Sequence, residues 1–326
     1  MSEIVREVPG ARKHKHRLKR LWRFLSNPRV KPESLRLLWV SWCIKTFCHG
    51  KIVRVAIDWT SLPGNIQCLM IVIPFHGRAI PLVWQLLKFV DIKDSQNRIE
   101  ERLIAQLVTL VKTVSSQKKL LLTADRGFGR ATLFQFLMKK HMLFAIRVKG
   151  DVTITLGSGK RMSLRTLGKK LIPEIACWYQ GISYRSDGVI SGLNLASVVV
   201  LPKNGDTSDP WFIVTNLRKA ETTIKCYQDR FNIEEWFKDM KHQLGIHQLQ
   251  TRNLMRVRRM VFLSCISYGI TLLIGTVANR LQNIKDQMIT NGSKTASRIW
   301  FAMQIIQHHL LGSDFWRKVY LVGSAP

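Results

Sequence analysis

Residues 120–124 read LLLTA, a short apolar run that stops at Asp125. It follows an amphipathic stretch, 97–116, in which Ile99, Leu103, Ile104 and Leu107 recur on one face at helical spacing. A buried strand entered through a crossover helix pairs in parallel, because a tight turn can only reverse the chain. This one pattern commits the chain to a sheet covered by helices. The surrounding segments agree. Residues 52–59 are β-branched and alternating, and predict a strand ending at Asp58-Trp59-Thr60. A turn at 61–65 leads to strands at 68–74 and 79–87, joined around His76-Gly77, which suggests an antiparallel meander. A helix at 131–141 and a strand at 142–148 complete the first half. Its order is strand, strand, strand, helix, strand, helix, strand, with carboxylates closing the first and fourth strands.

The flanks differ. Residues 150–216 are punctuated by Gly and Ser, with short β-like runs at 152–155, 177–182, 196–201 and 211–215, and predict an all-β insertion. Helical periodicity returns from 221. At the N-terminal side, residues 12–23 read RKHKHRLKRLWR, with seven Lys or Arg and no acid. Leu18, Leu21, Trp22 and Leu25 fall at i, i+3, i+4 and i+7, so this is a basic amphipathic helix stopped by Ser26-Asn27-Pro28. Such a helix suits phosphates, a membrane surface or another domain. A second helix spans 32–47, with Pro32 in its first turn. The expected division is a basic helical region at 1–50, a core at 51–149, the β insertion at 150–216, and the completed core with C-terminal helices at 217–326. The fold class is α/β, a mixed sheet flanked by helices.

Charge narrows the partner. The chain has 51 Lys+Arg against 21 Asp+Glu, a formal net charge of +30 in 326 residues. Such an excess calls for a polyanion, nucleic acid first and an anionic membrane second. With 46% hydrophobic residues the chain is no disordered basic tail. Residues 260–278 carry no charge and are preceded by Arg256, Arg258 and Arg259. They reach the length of a membrane span, whereas Ser264, Ser267, Tyr268, Thr271 and Thr276 suit a helix buried in a core. The charged N-terminus shows no apolar leader, so six reduced cysteines in a cytosolic, nucleoid-associated protein are expected. Cys43-x4-Cys48-His49 resembles half a zinc site, but no second ligand pair follows at suitable spacing. Gly157-Ser158-Gly159-Lys160 reads as a hairpin turn. Asp91, Asp94, Glu100 and Glu101 read as solvated, and His308-His309 as a pair without partner ligands.

The segment 227–241, YQDRFNIEEWFKDMK, carries the chemistry. On a continuous α-helix with Tyr227 at zero, Arg230 falls near ~300°, Lys241 near ~320° and Glu234 near ~340°. One face then presents an aromatic hydroxyl, two cations and a carboxylate, while Glu235 at ~80° points elsewhere. A solvated charged face has the same spacing.

Tyr-x2-Arg-x3-Glu-x6-Lys resembles the signature of the DDE transposases of bacterial insertion sequences, specifically the insertion sequence 4 group, and Tyr227, Arg230, Glu234 and Lys241 match each position. Asp58-Trp59-Thr60 resembles the first carboxylate motif of that family, Asp125-Arg126-Gly127-Phe128 the second, and Trp211, in DPWFIV, the tryptophan opening the last strand of the insertion. The resemblance covers roughly residues 50 to 250. It implies an RNase H-like fold in which Asp58, Asp125 and Glu234 are catalytic and bind two Mg²⁺ ions, with Mn²⁺ able to substitute. Two such ions about 3.5–4 Å apart activate the attacking oxygen and stabilise the leaving one, and they take hard oxygen ligands. The resemblance further implies that Tyr227, Arg230 and Lys241 hold phosphates and that Trp211 stacks on a flipped base. Arg17, Lys19, Arg20 and Arg23 of the basic helix are expected to add phosphate contacts. Gly127 and Gly129 either admit a close backbone approach or simply form a turn. Expected partners are transposon-end and target double-stranded DNA and a second copy of the chain, with a hairpin intermediate and no stable membrane association. The competing readings are a catalytically inactive DNA-binding derivative and a membrane-anchored basic protein. Fifty-seven residues precede Asp58, fewer than such enzymes usually place there to read their DNA ends.

Overall fold

The computed structural model describes residues 13–93, 95–185, 188–201 and 210–278. Asp94, Asp209, His308 and His309 lie outside these, as do the helices expected beyond 278. The helices are α1 (His14–Ser26), α2 (Arg36–Phe47), α3 (Gln96–Val114), α4 (Ala131–Lys139), α5 (Leu164–Gly168), α6 (Ala220–Asp229), α7 (Asn232–Lys238) and α8 (Leu254–Ala278). The strands are β1 (Ile52–Leu62), β2 (Ile66–Phe75), β3 (Arg78–Lys88), β4 (Lys119–Ala124), β5 (Leu143–Arg147), β6 (Thr153–Thr155), β7 (Arg161–Ser163), β8 (Cys177–Arg185), β9 (Val189–Val198) and β10 (Trp211–Thr215). Two compact units result. One draws on Gly50–Ala79 and Val83–Asp239, the other on Met1–His49, Ile80–Leu82 and Met240–Pro326.

The first unit is built on one sheet, which among the described residues has ten strands in the order β3-β2-β1-β4-β5-β10-β9-β8-β6-β7. β4 lies parallel to β1 and to β5. The β1–β2, β5–β10, β10–β9, β9–β8, β8–β6 and β6–β7 pairs are antiparallel. The mixed α/β sheet read from the sequence is therefore present, and α3 supplies the crossover into β4. Ile99, Leu103, Ile104 and Leu107 of α3 are all buried, as are Leu120 to Ala124 of β4, so that strand is covered on both faces. β1 runs beyond its expected end to Leu62, because β2 continues to pair with it as far as Ile66. Its pairing with β4 stops at Ile57–Ala124, so Asp58 and Asp125 both follow the last rung of that parallel ladder. Segment 150–216 holds β6 to β10 and α5, and its strands extend the same sheet beyond β5. The turn at 157–160 joins β6 to β7, with Leu156 N–H donating to the Lys160 carbonyl and Gly159 at φ +83°.

In the second unit the apolar side of α1 packs on α8. The Arg256 guanidinium lies 4.8 Å over the Trp22 ring. Arg259, 5% exposed, donates to the carbonyls of Leu25 at 2.7 Å and Val30 at 2.9 Å. The Leu25 carbonyl is one that the end of α1 leaves without a helical partner, and Val30 belongs to the link that follows. Lys19, Arg20 and Arg23 stay exposed and Arg17 is half-buried. α8 contains the uncharged run 260–278. Among the described residues it is the one helix long and apolar enough to cross a membrane, and most of its apolar stretch is buried inside the protein. That burial is what a core helix requires.

Gly269 of α8 faces the stacked rings of Trp39 and Trp42. A Cβ there would lie 2.6 Å from Cη2 of Trp39, whose indole N–H is tied to the Pro81 carbonyl at 2.9 Å. Replacing a helical Gly by Ala ordinarily gains about 1 kcal/mol. Here overpacking against a fixed ring costs about 1–3 kcal/mol. Gly269→Ala is therefore expected to lower the urea midpoint, and a raised midpoint would show that the indole yields freely.

Candidate functional site

The parallel β1–β4 pair sets the first two carboxylates. Asp58 Oδ1 accepts from its neighbour's backbone, Trp59 N–H, at 2.8 Å. Asp125 caps the short 3₁₀ turn Arg126–Phe128 by accepting from Gly127 N–H at 2.8 Å. A Cβ on Gly129 would stand 2.9 Å from Val148 Cγ1 and 3.2 Å from the Arg147 carbonyl. Gly129 is thus required where the turn presses on the end of β5, which is the turn reading of this glycine.

The third carboxylate arrives differently from the sequence expectation. A continuous α-helix over 227–241 does not form. α6 ends at Asp229, Arg230 and Phe231 make a turn, α7 runs from Asn232 to Lys238, and a π-helical turn follows at Asp239–Gln243. Arg230 and Phe231 keep α-like dihedrals, so Tyr227, Arg230 and Glu234 remain neighbours. The π turn takes in an extra residue per turn, and the 100° rule fails across it. Lys241 sits in that turn and groups with the helical unit, where its carbonyl contacts the His247 ring. The helical spacing therefore holds for Tyr227, Arg230 and Glu234, and does not carry through the π turn to Lys241.

Asp58, Glu234 and the Tyr227 ring meet at one cation, Arg230. Arg230, its side chain 6% exposed, donates from Nη1 to Asp58 Oδ2 at 3.2 Å and from Nη2 to Glu234 Oε1 at 2.7 Å. Its guanidinium stands 4.8 Å from the Phe231 ring and 5.7 Å from that of Tyr227. Glu235 is occupied elsewhere, by Lys238 at 2.7 Å and Arg78 at 3.0 Å. Trp211, half-buried at the start of β10, meets Tyr227 edge-on at 5.0 Å and Phe231 at 5.6 Å. Tyr227 is buried in the cluster with Ala145, Ala196 and Ile213 that α6 seals against the sheet.

The electrostatics are those of crowded negative charge. Burial and then the Asp125 carboxylate raise the Asp58 carboxyl to about 6, Arg230 and Trp59 N–H oppose them, and Glu234 adds to the rise. Burial works against the Arg230 charge, but Tyr227, Asp58, Glu234 and Asp125 outweigh it and raise its pKa. Burial likewise raises the Tyr227 phenol, against Arg230 and a hydrogen bond with Arg147.

A residue that the sequence reading set aside supports this edge. Glu100 of α3, expected to be solvated, is fully buried. It accepts from Trp59 Nε1 at 2.8 Å, Gln96 Nε2 at 3.0 Å and Arg130 Nη1 at 2.7 Å. Trp59 follows Asp58, and Arg130 closes the turn begun by Asp125. Glu100 therefore fastens both carboxylate-bearing segments to one helix. Its signal in the sequence is faint, a lone acid in register with Ile99, Leu103 and Leu107.

Asp58, Asp125 and Glu234 are hard oxygen donors of the kind a divalent cation takes. Among the described residues no group of three His, Cys, Asp or Glu side chains is arranged to hold a metal ion, and Arg230 lies between Asp58 and Glu234. The donor set still fits a cation. A half-buried Asp58 lifted toward neutrality by desolvation and then by the Asp125 carboxylate is charge in need of compensation, which Arg230 supplies in part. Arg17, Lys19, Arg20 and Arg23 lie on α1, in the other unit.

A family model described as a transposase DDE domain matches residues 49–270. No curated protein matches the chain.

Two outcomes test this geometry. Asp58 titrates higher in the fold than its ordinary 3.8. Between pH 3.8 and about 6 the unfolded chain releases this proton while the folded chain keeps it, so stability falls as pH rises through that window. Without divalent cation, Asp58→Asn should exceed the parent in stability at pH 8 by up to about 3 kcal/mol, with the difference vanishing near pH 4. A difference independent of pH in denaturant titrations would refute the shift. Glu100→Gln takes its closest counter-charge from the buried Arg130, leaving it, among the described residues, only Glu101 at 3.7 Å, and should cost about 3 kcal/mol. Adding Arg130→Gln should cost less than the sum, and strict additivity would break the pairing.

Proposed function

The chain belongs to the DDE transposase family, whose domain model spans more than half of it, and from that premise we propose that it cuts the ends of an insertion sequence and joins the freed 3′-hydroxyls to target DNA by two-metal phosphoryl transfer. The observation that carries this reading is the Arg230 guanidinium held between Asp58 and Glu234, with Asp125 close enough to raise Asp58. Mg²⁺ or Mn²⁺ ions bound by Asp58, Asp125 and Glu234 would activate the attacking oxygen and neutralise the leaving one.

The protein's own groups set the conditions. Arg230 is an always-charged fork whose two arms already grip oxygens. Asp58, Asp125 and Glu234 would hold the cations, and Arg230, seated against Phe231 and Tyr227, would be the fork that takes a DNA phosphate. Tyr227, bonded to Arg147, holds that seat and offers a hydroxyl to phosphate. Trp211, partly exposed beside both rings, offers a base a stacking face, which favours a flipped nucleotide and a hairpin intermediate. Lys241 joins Tyr227 and Arg230 in holding DNA phosphates, and the α1 cations Arg17, Lys19, Arg20 and Arg23 add further phosphate contacts. In this reading β1 to β5 with α3, α4, α6 and α7 form an RNase H-like core of the insertion sequence 4 group, interrupted by the β insertion at 150–216. The enzyme works in the cytoplasm at the nucleoid, without stable membrane association, as a dimer on double-stranded DNA.

The test is cleavage of end-containing DNA with Mg²⁺, compared with Asp125→Ala. Loss of a ligand should cost more than the roughly 100-fold typical of an outer partner, while DNA binding persists. Equal cleavage by the two proteins would end the catalytic assignment, and binding without cleavage by either would favour a catalytically inactive DNA-binding derivative.

A further inference from the structure

The face of β10 turned away from Trp211 leads to a different feature. Consecutive strand residues point to opposite faces. Trp211 faces Tyr227, so Phe212 faces the other side, where with Pro210 it floors a cavity of about 540 Å³. The volume lies in the range of ligand pockets. Its rim carries Arg126, Lys149, Arg165 and Lys169 against a single acid, Asp151. Gly168 brings the end of α5 onto the floor: a Cβ there would come within 2.9 Å of Phe212 Cζ and 3.5 Å of Pro210 Cγ.

The location ties this cavity to the carboxylates. β4 and β5 are parallel and β10 runs against β5. The loops after β4 and β5 and the start of β10 therefore share one sheet edge, the edge at which Asp125 stands. Arg126 is the next residue after Asp125, and Arg147, which bonds to Tyr227, also donates to the Pro210 carbonyl at 3.3 Å. The cavity and the Trp211 cluster thus lie on opposite faces of the sheet at one edge. Four cations around a partly apolar floor suit a polyanion whose repeating units also have an apolar face, which describes a nucleic acid strand. A duplex carries its phosphates on a convex surface with its base faces stacked inside. An unpaired strand can bend its backbone into a concavity and lay a base or sugar on the floor.

We propose that this cavity binds a single DNA strand, the unpaired flank next to the cleavage position, with its phosphates on Arg165, Lys169, Lys149 and Arg126. The choice of DNA among polyanions rests on the transposase reading; the site does not. It is separate from the Trp211 stacking face and from the Arg230 fork. Arg165 and Lys169 are exposed side chains on and beside α5, so their removal leaves the core untouched.

The experiment uses the full chain without divalent cation and two fluorescent DNAs of the same sequence, one a blunt duplex and one with an unpaired overhang, titrated with salt. The parent should prefer the overhang DNA. Arg165→Ala with Lys169→Ala should weaken overhang binding about 10-fold or more and reduce its salt slope by about 1.4, the value for two single-strand phosphate contacts. Blunt-duplex binding should hold, and Arg165→Lys with Lys169→Arg should keep both the affinity and the slope. Equal losses on both DNAs, no loss on either, or loss in the charge-conserving variant would overturn the proposal. Binding is read without cleavage, so the outcomes separate. A protein that prefers overhang DNA but never cuts sinks the reaction proposed above and leaves this site standing; one that cuts without the preference does the reverse.

Discussion

A buried guanidinium shared by two carboxylates organises the end of the sheet where Asp58 and Asp125 stand. Arg230 is nearly inaccessible to water; Nη1 and Nη2 find carboxylate acceptors, which offsets the cost of burying the charge, while Nε has none among the described residues. Asp58 comes from the sheet and Glu234 from the helix that follows, so the ion contacts fix α7 against β1 as well as compensating charge. The break between α6 and α7 belongs to the same arrangement. It puts Arg230 in the bend, flanked by the rings of Tyr227 and Phe231, whose faces add attraction to the cation. An apolar residue at 230 would leave Asp58, Glu234 and Asp125 repelling one another with no cation between them.

Glu100 and Arg130 form the second fixed point. Glu100 is bonded on three sides and holds Trp59 and Arg130, so the segments that present Asp58 and Asp125 share an anchor inside the protein. The two ion clusters differ in what they allow. Glu100 is fully buried and Arg130 nearly so, whereas the Glu234 side chain is 45% exposed. Rearrangement is cheap where water can replace a lost partner and costly where it cannot. Partner exchange belongs to the Arg230 cluster and rigidity to the Glu100 cluster.

Much of this was legible in the chain. Alternation and apolar runs located β1 to β5, and the helix before β4 implied its parallel pairing. The Tyr-Arg-Glu spacing survived because the turn at Arg230 and Phe231 keeps helical dihedrals. Its extension to Lys241 failed because a π turn carries no mark in residue spacing. Glu100 was misread because a carboxylate on an amphipathic helix normally faces water. Its partners Trp59 and Arg130 stand 41 and 30 residues away, and nothing local announces them. The strand β1 was read short because its pairing to β2 outlasts its pairing to β4.

The bond from Arg259 to the Leu25 carbonyl spans 234 residues. α1 leaves the ribosome 234 residues ahead of its anchor. At ~5–20 residues per second, roughly 12–47 s separate the two. For that interval the apolar side of α1 has no α8 to cover it, while its cations are already present. A nascent chain of this kind meets polyanions before it can fold the helix that carries them, and the ribosome's own RNA is the nearest.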